Sequence, residues 1–165
     1  MDDSVFALDA NVFIEAARRY YAFDLAPLFW HSLLRHAEEG RIHSIDRVRA
    51  ELERQKDELA AWAKGEFSQW FVSTNRQEVI QAYGDVMRWV QAQDQFSDAA
   101  KAAFAEGADG WLVAHSKVEG CIIVTHEAPA PDARRKVPLP NVCEAFDVDF
   151  VDTFEMLRRL GVAFR

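Results

Sequence analysis

Two short apolar segments, at residues 5–8 and 121–125, each end at or just before a polar residue. Both are too short to be helices and are bordered by helical patterns. Because strands buried on both faces have continuous apolar sequences, these segments predict a parallel sheet covered by helices on both sides. The sequence therefore indicates an α/β fold.

Apolar residues recur at helical spacing over most of the remaining chain. A helix that begins at Pro27 is predicted to end at Gly40, since a glycine just beyond the last turn commonly ends a helix. Four of the five prolines fall between 129 and 140, which predicts a long loop there. No repeat or break in composition divides residues 1–165, so we expect one domain. Another predicted helix begins at Asp46, and the others cover residues 11–21, 77–92, 98–104, 109–120 and 150–160, with short strands at 41–44 and 162–164.

Composition restricts the class of protein. Half of the residues are hydrophobic and 12% are aromatic, which predicts a substantial core rather than disorder. No apolar run approaches the roughly 18 residues of a membrane span, and the N-terminus is acidic where a secretory signal is basic. We therefore expect a cytoplasmic protein without membrane association. Cys121 and Cys143 lack a His or Cys at zinc-finger spacing, which predicts reduced thiols and no structural zinc site.

The chain is acidic, with 27 Asp and Glu against 19 Lys and Arg and a formal net charge of −8. Phosphate contacts require basic side chains, so a broad nucleic-acid surface is not favoured. A nuclease of this charge needs a metal ion and a local basic patch. Arg134, Arg135 and Lys136 are the candidate phosphate contacts.

Four acids occupy positions that suit chemistry. Asp9 and Glu127 each follow an apolar strand, at the carboxyl edge where parallel sheets bind ligands. Asp109 begins the helix that leads into the second strand, and Glu51 flanks the apolar stripe of a charged helix. Each also has a structural explanation: a helix cap for Asp9 or Asp109, a solvated helix face for Glu51 and an ordinary loop acid for Glu127.

If the four carboxylates converge, each pair at about 5 Å repels by roughly 3 kcal/mol at an effective dielectric near 20. Such a cluster requires a cation, and ligation by oxygen alone is typical of Mg²⁺ or Mn²⁺. Asn11 and Thr125 stand close enough in sequence to orient a carboxylate or a water. The leading interpretation is a metal-dependent enzyme that cleaves phosphodiester bonds.

Several segments resemble the PIN-domain ribonucleases. ALDANVFI, SIDRVRAEL, ADGWLVA and CIIVTHE match the family's acidic motifs in order, whereas PNVC and FEMLRRLGVAF resemble a PIN-like subgroup labelled only as a domain of unknown function. The resemblance implies a three-layer α/β/α sandwich with a mainly parallel sheet, in which Mg²⁺ or Mn²⁺ is bound by Asp9, Glu51 and Asp109 and serves RNA cleavage. Glu127 stands near a fourth acid that is more often Asp, and Ala10 replaces a common Thr or Ser.

The resemblance further implies the toxin of a bacterial toxin–antitoxin pair, with a cognate antitoxin as partner. Two other interpretations stay open: a non-catalytic PIN-like module that binds a basic protein, and a phosphatase with an aspartate nucleophile. The phosphatase requires a second Asp two residues after Asp9, where Asn11 stands. A homodimer formed through the aromatic-rich central region is also left open.

Overall fold

The computed structural model describes residues 2–164 and has a five-stranded sheet in the order β3-β2-β1-β4-β5. All neighbouring strands are parallel, and helices follow the strands along the chain. The predicted α/β/α sandwich with a parallel sheet is confirmed. The strands are β1 (Phe6–Leu8), β2 (Ile42–Ile45), β3 (Phe71–Val72), β4 (Ile122–Val124) and β5 (Phe150–Val151).

Nine α-helices complete the architecture of the described residues, and a π-helical turn at Ala16–Tyr20 extends the first of them. As predicted, the second and seventh helices end at Gly40 and Gly120, whose positive φ angles of 77° and 72° suit glycine. The helices are α1 (Ala10–Glu15), α2 (Pro27–Glu38), α3 (Asp46–Glu53), α4 (Glu58–Lys64), α5 (Gln77–Ala92), α6 (Asp98–Glu106), α7 (Asp109–Glu119), α8 (Leu139–Ala145) and α9 (Thr153–Arg159).

The core is centred on β1, whose three residues are fully buried. Beside it, Phe13 of α1 packs against Trp62, Phe67 and Phe71 with ring centroids 5.7–6.0 Å apart. The aromatic-rich central segment is therefore core, and it fixes α1 directly after Asp9. Across residues 2–164, none of the helices combines the length and apolarity that crossing a membrane requires.

Several sequence-based boundaries were wrong. Residues 150–151 form β5, and α9 starts only at Thr153, where the Asp152 carboxylate accepts a hydrogen bond from the Glu155 N–H at 2.8 Å. The loop predicted from the prolines stops at Leu139, where α8 begins. Pro140 lies in the first turn of α8, and its missing N–H costs nothing there. Residues 162–164 form no strand. Helix α4 and strand β3 were not predicted.

Helix α7 packs unusually close to α5 and α6. A Cβ added at Gly110 would lie 3.0 Å from ring carbons of both Tyr83 and Phe104. Only the absence of a side chain permits this approach, which sets the position of Asp109 at the start of α7.

Candidate active site

Asp9 lies immediately beyond β1, at the N-cap position of α1. Its carboxylate makes no capping hydrogen bond, so helix capping does not explain this residue. The side chain is buried, with 2% of its surface exposed, and its Oδ2 accepts a hydrogen bond of 3.0 Å from the Thr125 hydroxyl. A buried carboxylate with a single side-chain donor has lone pairs left for another ligand.

The register of the sheet explains the pairing of Asp9 with Thr125. Leu8 is the partner of Val124 across β1 and β4, so the next residue of each strand lies at the same edge. The Thr125 hydroxyl oxygen also accepts the Glu127 backbone N–H at 3.2 Å. Thr125 thus connects two of the acids predicted from the sequence.

Glu51 reaches the same edge from α3. Val48, three residues earlier on the same face of the helix, is fully buried, so this face of α3 is directed toward the core. Glu51 Oε1 accepts the backbone N–H of Ala108 at 2.9 Å. Because Ala108 directly precedes Asp109, this hydrogen bond joins the two acids predicted on separate helices. Sequence reasoning missed the role of Ala108, which acts through its backbone and has no signature in its side chain.

Asp109 is the first residue of α7 and is partly buried; it does not occupy the N-cap position, which belongs to Ala108. Burial, followed by the charges of Asp9, Glu127 and Glu51, raises the pKa of Asp109 well above its usual value. Burial likewise raises the pKa of Asp9 to about 6, with contributions from Glu127 and Glu51, although the Thr125 hydrogen bond opposes the shift. The four acids therefore share one region of repulsive potential, which we call the acidic crevice (Asp9, Glu51, Asp109 and Glu127).

Glu127 is already paired with a basic residue. Lys136 Nζ lies 2.8 Å from Glu127 Oε1, and the same oxygen accepts the Leu139 N–H of α8 at 3.4 Å. Partial burial lowers the pKa of Lys136, but Glu127 and the charges of Asp109 and Asp9 outweigh burial, so the net shift is upward. The Lys136 side chain is 62% exposed and can also reach a ligand from solution.

The other predicted residues lie around the acidic crevice. Asn11 is exposed and lines a cavity of about 210 Å³ with Glu127. Arg135 and Lys136 line a smaller one, about 140 Å³, with Asp109. Arg134 is exposed and lines neither of these two cavities.

The donor set suits a hard divalent cation, although the acids are not all close together. Within residues 2–164, the acidic crevice contains no three ligand atoms that all lie within 4.8 Å of one another. Direct ligation by three carboxylates at about 2.1 Å requires oxygens within about 4 Å. A cation would therefore draw the acids inward or bind partly through water, as Mg²⁺ commonly does.

Residues 6–164 match the family described as "Domain of unknown function (DUF4411)", and the chain belongs to that family. No curated protein matches the sequence significantly.

Solved structures share the fold at low sequence identity. FitAB bound to an IR36 DNA fragment has a chain 15% identical with a TM-score of 0.54, covering 90% of this chain and 94% of its own. A chain of VapBC2 from Rickettsia felis, bound to a DNA fragment from their promoter, is 12% identical with a TM-score of 0.54. The match covers 90% of this chain and 98% of that chain. A chain of FitAcB from Neisseria gonorrhoeae is 16% identical with a TM-score of 0.53, and the match covers 88% of this chain and 96% of that chain. The fold is therefore PIN-like.

Proposed function

We propose that this protein is a metal-dependent endoribonuclease that hydrolyses RNA phosphodiester bonds in the acidic crevice. The observation that carries the proposal is the repulsion between Asp9 and Asp109, whose pKa values are both raised by burial and by the neighbouring acids. Carboxylates held in this way are stabilised by a cation, and their oxygens are the ligands that Mg²⁺ and Mn²⁺ prefer.

Asp9, Glu51 and Asp109 would hold the cation. When bound, Mg²⁺ or Mn²⁺ supplies Lewis-acid stabilisation of the phosphate and lowers the pKa of a water nucleophile. The Thr125 hydroxyl fixes one oxygen of Asp9, and the Ala108 N–H fixes one oxygen of Glu51, so that the other oxygen of each carboxylate would be left for the cation. Glu127 would accept a proton, since it lies at the same edge and its backbone N–H donates to the Thr125 hydroxyl.

Lys136 gives the acidic crevice its positive charge. It pairs with Glu127 from an exposed position, and Arg135 lies beside it, so both can contact an RNA phosphate. Asn11 borders the opposite side of Glu127 and can hold a water or a ribose hydroxyl. The local patch offsets the net charge of −8, which otherwise disfavours nucleic acid.

We further propose that the protein is the toxin of a toxin–antitoxin pair and is inhibited by a cognate protein. The sequence resemblance to PIN toxins supports this assignment, as does the fold shared with chains of VapBC2 and FitAB. An antitoxin that inserts a basic side chain would replace Lys136 on Glu127.

A non-catalytic PIN-like module that binds a basic protein is the second candidate. The Lys136–Glu127 pair favours it, because a lysine already pairs with one of the four acids without a metal ion. This candidate predicts a basic partner whose affinity falls with salt and does not depend on Mn²⁺.

The test is RNA cleavage by the purified full chain with Mn²⁺ or Mg²⁺, together with calorimetry of Mn²⁺ binding. Asp9→Asn is expected to reduce cleavage by at least about 100-fold, because it removes a charge that the site cannot replace. Asp85→Asn is the matched control, since Asp85 is an exposed acid on α5 that pairs with Arg88.

Cleavage that requires the metal, is lost in Asp9→Asn and is kept in Asp85→Asn supports the nuclease. No cleavage of structured or single-stranded RNA by the wild type, with no Mn²⁺ binding, rejects it in favour of the binding module. Equal activity of wild type and Asp9→Asn identifies a contaminating nuclease and also rejects the proposal.

A further inference from the structure

A second group of ligand-type side chains lies at the amino edge of the sheet, away from the acidic crevice. His43 of β2, His115 of α7 and Cys121, just before β4, have ligand atoms that all lie within 4.8 Å of one another. We call these three residues the amino-edge cluster. His115 is six residues along α7 from Asp109, about 9 Å at the helical rise of 1.5 Å per residue. The two groups therefore lie toward opposite ends of one helix.

The contacts within the amino-edge cluster are short. The Nε2 atoms of His43 and His115 are 2.7 Å apart, and Cys121 Sγ lies 3.9 Å from His43 Nε2. His115 and Cys121 are 3% and 6% exposed, so the hydrophobic surroundings protect the donors from water. Two imidazole nitrogens and a thiol sulfur that converge on one point form a donor set typical of Zn²⁺.

Neither histidine is cationic, and the Cys121 thiol, whose pKa burial raises to about 11, would lose its proton only on binding the ion. Burial lowers the pKa of His43, and burial together with His43 lowers the pKa of His115 to about 4, so both rings are neutral and carry lone pairs. Only one hydrogen bond can form between the two Nε2 atoms, with one ring donating and the other accepting.

The surroundings provide room for a fourth ligand. A cavity of about 390 Å³ adjoins the amino-edge cluster and is bordered by Glu119, which pairs with Arg76. A Cys121 thiolate would neutralise one charge of a divalent ion, and the Glu119 carboxylate, which already pairs with Arg76, would offset part of the other. Tetrahedral Zn²⁺ with bonds of about 2.0–2.1 Å places two nitrogens about 3.3 Å apart, so the histidine rings need to separate by only about 0.6 Å.

We propose that His43, His115 and Cys121 form a binding site for Zn²⁺, with Glu119 or water in the fourth position. This site is independent of the proposed nuclease activity and uses none of its residues. By fixing the C-terminal half of α7 to β2 and to the start of β4, the ion would stabilise the helix that carries Asp109.

The experiment is titration of the metal-free full chain with Co²⁺, followed by displacement with Zn²⁺. We expect one Co²⁺ per chain with a thiolate-to-cobalt charge-transfer absorption that disappears when Zn²⁺ is added. Cys121→Ser should abolish that absorption, and His115→Gln should weaken binding by at least about 100-fold. Cys143→Ala is the control: it removes the other buried thiol, lies outside the cluster and should keep the absorption.

Two results overturn the proposal: no charge-transfer absorption in the wild type, or an absorption that survives in Cys121→Ser. If a variant fails to fold, X-ray absorption of the Zn²⁺-loaded wild type decides the question. A sulfur scatterer at about 2.3 Å supports the site, whereas a shell of only oxygen and nitrogen rejects it. If the ion binds only in the acidic crevice, the spectrum shows a shell of oxygen and nitrogen without sulfur.

Discussion

The two edges of the sheet hold their donor atoms in opposite ways. In the acidic crevice, charged oxygens repel, and no three ligand atoms lie within 4.8 Å of one another. In the amino-edge cluster, the donors are neutral, and two imidazole nitrogens approach to 2.7 Å. The same scaffold thus keeps like charges apart, whereas uncharged ligands can touch. The difference separates a proposed site for a hard, hydrated cation from a proposed site for a softer one.

The largest expected effect is that a substitution in one proposed site removes metal binding there and leaves the other proposed site able to bind. Asp109→Asn removes one charge of the acidic crevice and should weaken Mn²⁺ binding by about 100-fold or more. The same variant should bind Co²⁺ at the amino-edge cluster with an affinity within about threefold of wild type, because additivity holds for sites about 10 Å apart. Calorimetry for Mn²⁺ and cobalt absorption for Co²⁺ measure the two affinities. Loss of both together, with unchanged helical circular dichroism, would show that α7 couples the edges energetically.

The repulsion in the acidic crevice predicts that Asp9 makes the metal-free protein more stable as the pH falls, against an opposite contribution from His115, whose pKa is lowered to about 4. The folded-state pKa of Asp9, about 6, exceeds the value near 3.8 for the free side chain, so between these values the native state binds more protons. Its contribution to the free energy of unfolding therefore increases as the pH falls from 7 to about 4, by about 2–3 kcal/mol. Urea unfolding in a chelating buffer measures this change.

Asp9→Asn provides the comparison for the pH series, since the amide has no proton to gain. Its free energy of unfolding at pH 7 should exceed that of wild type, and its dependence on pH should be smaller. Wild type and Asp9→Asn with the same dependence of stability on pH between 7 and 4 would contradict the repulsion inferred from the acids.

Thr125→Val sharpens the description of the acidic crevice at nearly constant volume. Valine removes the hydroxyl that donates to Asp9 and accepts from Glu127, so the pKa of Asp9 should rise further and Mn²⁺ affinity should fall about tenfold. Thr125→Ser keeps the hydroxyl and should retain most of the affinity. If valine and serine behave alike, the effect is one of packing and not of the hydrogen bond.

Lys136→Gln should have the smallest effect. The Lys136 side chain is 62% exposed, so its pair with Glu127 contributes less than about 1 kcal/mol. Mn²⁺ affinity should rise a few fold because a competing cation is removed, and the slope of log RNA affinity against log salt should decrease by about 0.7–1. Filter binding at several salt concentrations measures the slope, and Lys101→Gln on α6 serves as the control. An unchanged slope would remove Lys136 from the proposed RNA contacts.

The sequence allowed prediction of what depends on local pattern. β1 and β4 are recognisable as apolar segments, and parallel pairing then places Asp9 and Thr125 at one edge. The ends of α2 and α7 follow from their glycines. In contrast, β3 and β5 contain two residues each, which is too short for any alternation to be visible.

Other features depend on tertiary contacts that no spacing rule contains. The hydrogen bond from Ala108 to Glu51 spans 57 residues and uses a backbone donor. His43 is 72 residues from His115 and 78 from Cys121, far outside zinc-finger spacing. The expectation of no zinc site rested on that spacing, and the sheet brings these residues together regardless of it. Ligands supplied by separate strands and helices require coordinates to be found.

Gly110 has a consequence for how this family can vary. Because a single methyl group there would press on both Tyr83 and Phe104, alanine would displace the first turn of α7 and carry its acid with it. Metal affinity and protein stability would then change through a residue that has no functional group at all. Among relatives, a bulkier residue at this position should occur only where the facing aromatic rings have become smaller.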